Sequence, residues 1–438
     1  MDTLATAGHP ALGSVYASPV SAVLALVLGL IVLVMVAYGV RHTVFTFSRL
    51  FGKQRQPYLD IGIAAWPSIT VFIAAHNEEK VVAGCMEALL RTDYPRDKLR
   101  IVPVNDRSQD DTRAIIDSYV AKHPELFFPF HRTSGKPGKS AALKDALALA
   151  EGDIAIIFDA DYVPPKGLLR QLVAPFFDPE VGAVMGRVVP ANASSNLLTR
   201  LLDLERSAGY QVDQQARMNL RGVPQYGGTV GGIRRSAVDA VGGWHDDVLA
   251  EDTDITFRLL LGGWKTIYNN RAECYEEVPE EWSVRIRQVR RWAKGHNQVL
   301  WRCWRPLLTS PYLQLRERID GLMLLLVFTV PPLLLVGWVL ALVLYYLNGG
   351  ALVALFIPML ALVAYGALGN FAAFLEIVVA VLLDGHRRRI RLLPINLLCF
   401  LVSLFAISRA LVESVTDRLL GRELVWHKTL RYRKAALP

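Results

Sequence analysis

Two carboxylates separated by one residue, Asp159 and Asp161, follow an apolar run at residues 153–158. The run predicts a buried strand, which would bring both side chains to the carboxyl edge of a sheet, where open α/β folds bind their ligands. Carboxylates at this spacing can bind a divalent cation through oxygen atoms, and the cation can hold a diphosphate. Such a pair alone is usually a solvated turn, so its chemistry depends on the residues around it.

Asp106 and Lys139 extend this candidate site toward a nucleotide. Asp106 ends another predicted strand at the same sheet edge, where a carboxylate can hydrogen-bond a base or a ribose; in isolation it would more often cap a helix or a turn. Lys139 follows the loop 134–138 and begins a helix. A helix N-terminus that carries a lysine suits a diphosphate, although the spacing is not that of a P-loop.

Glu251 and Asp252 precede a predicted helix at 255–261. They can simply cap that helix and favour its dipole. Beside a site for a metal ion and a nucleotide, Asp252 is instead the best general base, because transfer of a sugar to a hydroxyl needs a carboxylate to take the hydroxyl proton. The glycine-rich segment 226–235 indicates either a flexible turn or a close approach of the backbone to a ligand.

Gln288, Arg291 and Trp292 share one face of a predicted helix, because they are spaced three and four residues apart. The Arg291 guanidinium is able to neutralise a leaving diphosphate with two hydrogen bonds. Trp292 offers either a flat apolar surface for a sugar ring or an anchor at a membrane interface.

Alternating strands and helices must position these residues. Strands are predicted at 68–74, 99–104, 127–131 and 154–158, and helices at 112–122 and 139–150. His76 to Glu79 are predicted to open a further helix that continues to Leu90. This alternation is typical of an α/β domain with a mainly parallel sheet wrapped by helices, here residues 53–310.

The chain is 52% hydrophobic with a mean hydropathy of +0.29, which is too apolar for an ordinary soluble protein. Residues 20–40 carry no charge and are long enough to span a bilayer. Residues 1–19 contain no Lys or Arg, whereas basic residues follow residue 40, so residues 1–19 are predicted outside and residue 41 onward in the cytoplasm. Without an obvious cleavage site, this segment is predicted to be a retained anchor.

Residues 320–412 form a second predicted membrane region, with apolar stretches at 322–347, 351–383 and 392–412. Simple crossings would leave the C-terminus outside, yet residues 413–438 are basic. We therefore expect a cytoplasmic tail, with one stretch interfacial, re-entrant or broken.

Two amphipathic segments, 196–220 and 282–304, are predicted either to lie at the membrane surface or to pack on the domain. Attraction of cytoplasmic loops to an anionic lipid bilayer explains the net charge of +8, so no nucleic-acid partner is expected.

Four motifs follow one another along the chain: Asp106, Asp159-x-Asp161, Glu251-Asp252 and Gln288-x-x-Arg291-Trp292. In this order they resemble the motifs of the processive membrane glycosyltransferases of family 2, such as bacterial cellulose synthase, hyaluronan synthase, chitin synthase and poly-N-acetylglucosamine synthase. The resemblance covers about residues 66–310. It implies a GT-A fold for the α/β domain, a UDP-sugar donor, a glycan acceptor and Mg2+ or Mn2+ as cofactor. One departure is Ala250, where the family usually has threonine before the two acids.

The resemblance also implies roles for individual residues. Asp252 is the expected base of a single inverting displacement, next to Glu251, and Asp159 and Asp161 are expected to bind the metal ion and UDP. The other expected nucleotide-binding residues are Ala75, Asn77, Glu78, Asp106, Lys139, Gln288 and Arg291. The acceptor is expected to contact Trp292, Gly228 and Thr229. Trp426, Lys428, Thr429 and Arg431 resemble a gating segment that closes over UDP.

Three functions remain open at this point. The first is elongation of a β-linked polysaccharide and its export across the inner (plasma) membrane by a multi-pass protein with a cytoplasmic catalytic domain. A channel would then need all the C-terminal helices or an accessory membrane subunit. The second is non-processive transfer of one sugar to a membrane lipid, as in glucosylceramide synthase, which shares the Gln-x-x-Arg-Trp motif. The third is a receptor that binds a sugar nucleotide without turnover, for which Asp252 and Arg291 would be unnecessary.

Overall fold

A computed structural model describes residues 18–58, 65–347, 371–420 and Tyr432. Its described part contains a seven-stranded mixed sheet in the order β3-β2-β1-β4-β6-β5-β7. The first four strands are parallel, β6 is antiparallel to both of its neighbours, and β5 and β7 are parallel. The strands are β1 (Ile69–Ala75), β2 (Leu99–Asp106), β3 (Phe130–Arg132), β4 (Ile154–Asp159), β5 (Val181–Pro190), β6 (Gly231–Arg234) and β7 (Lys265–Glu276). The predicted mainly parallel sheet is confirmed for β1 to β4.

The parallel strands end together at one edge of the sheet. Ala74 is in register with Asp159, and Asp106 is in register with Arg132. Pro103, which cannot donate a ladder hydrogen bond, lies in β2 just before the point where β3 begins to pair at Val104. The carboxyl ends of β1, β2 and β4 therefore bring the side chains predicted at this edge into one neighbourhood.

Helices cover both faces of the sheet. Because successive strand residues point to opposite faces, Val71 and Ile73 join one apolar core while Phe72 joins the other. Burial on both faces explains why the sequences of these strands are almost uninterruptedly apolar. The helices are α2 (Val82–Leu90), α3 (Thr112–Lys122), α4 (Lys139–Leu147), α5 (Leu168–Val173), α8 (Arg235–Ala240) and α9 (Glu251–Leu261).

The first of these helices begins later than the sequence predicts. Residues 76–81 form a loop, and α2 starts only at Val82. The Asn77 N–H donates to Ser108 Oγ at 2.9 Å, and the Glu78 N–H donates to Thr112 Oγ1 at 2.7 Å. Asn77 also has a positive φ of 54°. Because side chains beyond β2 satisfy these backbone donors, the acidic residues lie before the helix rather than in its first turn.

Both amphipathic segments are helical. The first comprises α6 (Leu197–Ser207), a π-helical stretch (Ala208–Gln214) and α7 (Gln215–Leu220), and the second is α10 (Trp282–Thr309). Helix α10 packs on α11 (Leu315–Leu326) and α14 (Leu393–Leu419), while its Trp301 is 62% exposed. It therefore packs within the protein and also presents an aromatic side chain outward.

Three helical segments are long and apolar enough to cross a membrane, judged by length and composition over the described residues: Pro19–Phe51, Leu315–Leu347 and Arg387–Leu419. They contain α1 (Pro19–Phe51), α11 (Leu315–Leu326), α12 (Val330–Leu347) and α14 (Leu393–Leu419). A 3-10 turn at Val327–Thr329 separates α11 from α12. Of the predicted stretch 351–383, only α13 (Phe371–Leu383) lies within the described residues.

A buried ionic network ties α1, the π-helical stretch, α7 and α11 together. Arg41 lies 2.7 Å from Asp213 and 3.8 Å from Asp320, and Arg217 lies 3.5 Å from Asp213 and 3.3 Å from Asp320. Asp320 also accepts the Val223 N–H at 2.8 Å. The network thus fixes α1 against the helices that follow the α/β sheet.

We expect Asp320→Ala to lower the free energy of unfolding by about 3–5 kcal/mol, because it leaves two buried guanidinium groups sharing one carboxylate. Thermal unfolding of the detergent-solubilised protein measures the change. The control is Arg316→Ala, which removes an exposed charge from the same helix. Equal melting temperatures for the two variants would contradict the expectation.

Candidate active site

One cavity of about 490 Å³ lies at the carboxyl edge of the parallel strands and extends to α1 and α11, which belong to candidate membrane spans. Its lining includes most of the residues that the sequence singles out: Ala75, Glu78, Asp106, Lys139, Asp159, Asp161, Thr229, Glu251, Asp252, Gln288, Arg291 and Trp292. Asn77 and Gly228 are not in the lining. The structure therefore brings residues from seven separate sequence segments to one site.

Lys139 occupies the centre of the carboxylate cluster. Its ammonium lies 2.6 Å from Asp159 Oδ1 and donates to the Gly228 carbonyl at 3.0 Å. Burial lowers the pKa of Lys139, but attraction by Asp159 and Glu251 outweighs it and leaves the pKa raised. Lys139 thus stays charged at neutral pH and links the glycine-rich segment to the Asp159 side of the cavity.

Asp161 lies in the cavity wall and is only 1% exposed. Its Oδ2 accepts the Glu277 N–H at 3.2 Å, and the neighbouring Tyr162 hydroxyl donates to Glu276 at 2.8 Å. These bonds hold the turn after β4 against the end of β7. Within the described ranges, no group of three or more His, Cys, Asp or Glu residues could hold a metal ion by itself.

The two carboxylates nevertheless fit a divalent cation. Mg2+ is typically bound by one or two carboxylates together with waters and substrate phosphates, rather than by a cage made only of protein ligands. Asp159 and Asp161 supply such oxygen ligands in the cavity lining. Remaining ligands would then come from a bound diphosphate and water.

Glu251 and Asp252 begin α9 on the opposite side of the cavity. Burial raises the pKa of both carboxyl groups; Lys139 opposes the shift for Glu251, and the Thr253 N–H, which donates to Asp252 Oδ1 at 2.6 Å, opposes it for Asp252. Gly228 has a φ of +70°, and a Cβ on it would lie 3.0 Å from Asp252 Cβ. Only glycine therefore lets the loop approach Asp252 this closely without strain.

The raised pKa of this pair predicts the acid limb of the pH–activity profile. A base must be unprotonated, so activity falls as the pH drops through the apparent pKa of the pair, above the usual value of 3.8 for an aspartate. Burial lowers the pKa of the nearby His296 to about 4, so this residue stays neutral over the working range. We expect kcat/KM to show the same limb in wild type and in His296→Gln. A limb that moves with this substitution would refute the assignment.

Helix α10 presents Gln288, Arg291 and Trp292 to the cavity, as predicted from their spacing. Gln288 Oε1 accepts from Arg285 at 3.0 Å. The guanidinium carbons of Arg206 and Arg285 lie 5.4 and 5.3 Å from the centre of the Trp292 ring. Cation–π contacts of this kind fix the orientation of the indole in the cavity wall.

An adjoining face of α10 is joined to α14. Arg290 pairs with Glu413, and Lys294 lies 3.1 Å from Glu413 and 2.9 Å from Asp417. Arg290 and Arg291 are neighbours in sequence, yet one contacts α14 and the other lines the cavity. These ion pairs therefore hold the cavity-lining residues in place.

The Asp106 carboxylate lines the cavity but is already engaged by protein groups. Its Oδ1 accepts from Arg132 at 2.6 Å, and its Oδ2 accepts the Gly138 N–H at 2.9 Å. Gly138 has a φ of +112°, which L-residues rarely adopt. In this structure Asp106 thus shapes the loop that leads into α4, and its contact with a nucleotide stays a prediction.

Several lining residues escaped the sequence analysis, namely Arg41, His42, Glu205, Arg206, Tyr210, Asp213, Arg217, Glu276, Glu277, Met323, Leu324, Val327 and Phe328. Arg206 and Glu276, whose side chains lie 2.6 Å apart, come from an amphipathic helix and a strand end. For Arg206, the only sequence signal of a place in the cavity was that it is a polar residue on an amphipathic helix. The predicted gating residues Trp426, Lys428, Thr429 and Arg431 lie outside the described residues, although the Tyr432 N–H donates to Glu277 at 2.5 Å.

Known proteins with related sequences share this catalytic region. The family model described as "Glycosyltransferase like family 2" matches residues 67–295. The probable glycosyltransferase YdaM of Bacillus subtilis is 35% identical over 265 residues, 60% of this chain and 61% of that protein. The β-monoglucosyldiacylglycerol synthase of Synechocystis sp. is 33% identical over 285 residues, 64% of this chain and 59% of that protein. The matches thus span about three fifths of these relatives.

Among solved structures, the mannosyltransferase PcManGT from Pyrobaculum calidifontis, in complex with GDP-Man and Mn2+, is similar with a TM-score of 0.56 and 20% identity. The similarity covers 92% of this chain and 99% of that one. It confirms the predicted GT-A-like fold. Because the family model covers more than half of the sequence, the chain belongs to glycosyltransferase family 2.

Proposed function

We propose that the protein transfers one sugar from a nucleoside diphosphate sugar to a hydroxyl group of a membrane lipid. The observation that carries the proposal is the single cavity, which runs from Asp159 past Asp252 to the membrane helices α1 and α11. Relatives named β-monoglucosyldiacylglycerol synthase support a lipid acceptor. The second candidate, elongation and export of a polysaccharide, stays a prediction.

The donor would bind at the carboxyl edge of β1, β2 and β4. Ala75, Glu78 and Asp106 surround the expected nucleotide pocket, and the Lys139 ammonium is near enough to Asp159 to contact a diphosphate there. Asp159 and Asp161 would hold Mg2+ or Mn2+, which neutralises diphosphate charge when bound. UDP is the nucleotide that the resemblance implies.

Asp252 is the proposed base. It takes the proton of the acceptor hydroxyl while the hydroxyl oxygen bonds to the anomeric carbon and the bond from that carbon to the diphosphate breaks, which inverts the configuration. The Arg291 guanidinium stabilises the negative charge that develops on the leaving diphosphate. Trp292 gives the sugar or the acceptor an apolar surface in the cavity wall.

The membrane arrangement is part of the same proposal. An N-terminus outside and a crossing at Pro19–Phe51 put the catalytic domain in the cytoplasm. Asp384 pairs with Arg187, Arg389 pairs with Asp203, and Lys294 pairs with Asp417, so both ends of the segment Arg387–Leu419 lie beside that domain. The basic residues 387–391 are then cytoplasmic, as the positive-inside rule expects. The acceptor would then be glycosylated at the inner leaflet.

The test is incubation of the protein in lipid nanodiscs with a panel of radiolabelled UDP-sugars and either Mg2+ or Mn2+. The proposal expects release of UDP and a lipid that carries one labelled sugar, identified by thin-layer chromatography and mass spectrometry. A long saccharide product would instead support the polysaccharide function. Binding of a UDP-sugar without turnover would refute both.

A further inference from the structure

The end of the cavity that faces the membrane has a composition different from the donor end. Its apolar wall is formed by Met323 and Leu324 of α11 and by Val327 and Phe328 of the following 3-10 turn. Helix α1, whose Tyr38 contacts Met323, contributes Arg41 and His42 to the same cavity. The catalytic cavity is therefore bordered directly by two of the candidate membrane spans.

The apolar wall coincides with a break in the Leu315–Leu347 segment, and the sequence explains the break. Pro331 and Pro332 have no N–H, so the carbonyl of Phe328 has neither its i+3 nor its i+4 helical donor, and the carbonyl of Val327 lacks its i+4 donor. Irregular backbone at membrane depth is tolerated where it borders a cavity, because a buried carbonyl needs a partner. The break thus brings polar backbone atoms next to the cavity.

Val327 is the most accessible residue of this apolar wall. It lines the cavity and is 38% exposed. On either side of Val327, the segment is in close contact with α1. The Tyr38 hydroxyl donates to the Met323 carbonyl at 2.6 Å, and a Cβ on Gly337 would lie 3.4 Å from Ile31. Val327 lies between these two contacts along the chain, so it is where we expect a side-chain movement to open the cavity toward the lipid.

Four charged side chains line the same cavity as the apolar wall and Asp252. We call Arg41, His42, Asp213 and Arg217 the polar collar; all four line the cavity. Each cationic side chain of the collar has a carboxylate close by. Arg41 pairs with Asp213 at 2.7 Å, Arg217 with Asp320 at 3.3 Å, and His42 with Glu376 at 2.5 Å.

The balance of positive and negative charges in the polar collar affects which acceptor headgroup can bind there. An anionic headgroup, such as a lipid phosphate, would have to compete with these carboxylates for the guanidinium groups and would meet Asp213 at close range. A neutral headgroup with hydroxyls needs only hydrogen bonds, which paired carboxylates and guanidinium groups still offer. The collar therefore favours an uncharged headgroup.

We propose that the acceptor is a neutral lipid with a free hydroxyl, that its chains enter from the bilayer through the break at Val327–Thr329, and that the polar collar holds its headgroup beside Asp252. This inference rests on the proposed lipid-transferase function and adds the route, the charge of the headgroup and the residues that recognise it. The size of the side chain at position 327 then controls access of the acceptor but not of the donor.

The test compares Val327→Trp with Val339→Trp in nanodiscs, using dioleoylglycerol as acceptor and the best UDP-sugar of the donor panel. Val339 lies on α12, is 60% exposed and does not line the cavity, so its variant controls for an added indole in the membrane region. We expect Val327→Trp to lower kcat/KM for dioleoylglycerol by about tenfold or more, a loss that corresponds to at least 1.4 kcal/mol. UDP-sugar affinity, measured by calorimetry, should match the control.

Equal acceptor kinetics in the two variants would overturn the proposed route. A second measurement does not depend on a variant: dioleoylglycerol with a diazirine in one acyl chain should label the wild-type peptide that contains Met323 to Phe328, and unlabelled lipid should compete. Labelling confined to other segments would also overturn the proposed route.

A separate measurement tests the charge of the headgroup. The wild type should prefer dioleoylglycerol to dioleoyl phosphatidic acid and polyprenyl phosphate, and the reverse preference would refute the argument from the polar collar. A wild type that glycosylates no lipid refutes the proposed function itself.

Discussion

Asp252→Asn is expected to lower turnover by about 10²- to 10⁴-fold while leaving the affinity for the donor within a few-fold of wild type. The amide has almost the same size but cannot take a proton from the acceptor hydroxyl. Asp252 lies at the first turn of α9, where the substitution keeps an oxygen able to accept the Thr253 N–H. UDP release with saturating lipid acceptor gives the turnover, and calorimetry gives donor affinity.

Two further variants make this result specific. Asp239→Asn removes an exposed carboxylate from α8 and should behave as wild type. Glu251→Gln alters the other buried carboxyl group of the pair and should shift the acid limb without the full loss of turnover. Turnover of Asp252→Asn near that of wild type would remove Asp252 as the base.

Asp161→Asn is expected to lower kcat/KM for the UDP-sugar by at least about 10²-fold, because a metal ion at a developing diphosphate contributes several kcal/mol. The variant should also lose binding of Mn2+ in the presence of UDP, which electron paramagnetic resonance detects without any turnover. This second readout separates loss of the ion from a general loss of activity.

The matched control for this variant is Asp153→Asn. Asp153 immediately precedes β4, whereas Asp161 follows that strand, so the same substitution is made at opposite ends of one strand. Asp153 is exposed and outside the cavity lining. Unchanged Mn2+ binding by Asp161→Asn would exclude this carboxylate as a ligand of the ion.

The sequence was sufficient to predict much of the sheet and most of the site. The apolar run of β4 and its two aspartates are local features, and the rule that parallel strands end at one edge brings Asp106 next to them without any knowledge of contacts. The spacing of Gln288, Arg291 and Trp292 likewise determines a common helix face. None of these inferences required knowledge of which residues distant in sequence are in contact.

What the sequence could not supply depends on contacts between distant segments. The late start of α2 follows from Ser108 and Thr112, which satisfy backbone donors of a loop thirty or so residues away in the chain. The pairing of Lys139 with Asp159, and of Arg41 with Asp213, requires the tertiary structure. For the same reason, α11 was predicted as a membrane segment but not as a wall of the catalytic cavity.

Two adjacent residues of α10 have different neighbours: Arg291 lines the cavity, and Arg290 pairs with Glu413 of α14. Each residue inserted into or deleted from an α-helix rotates everything beyond it by about 100°. A single insertion before Gln288 would therefore rotate the cavity-lining side chains and the side chains that contact α14 together, and both sets would lose their partners. The catalytic domain and its C-terminal anchor are consequently not exchangeable modules, and a chimera with a foreign anchor must preserve this angular phase as well as the hydrophobic length.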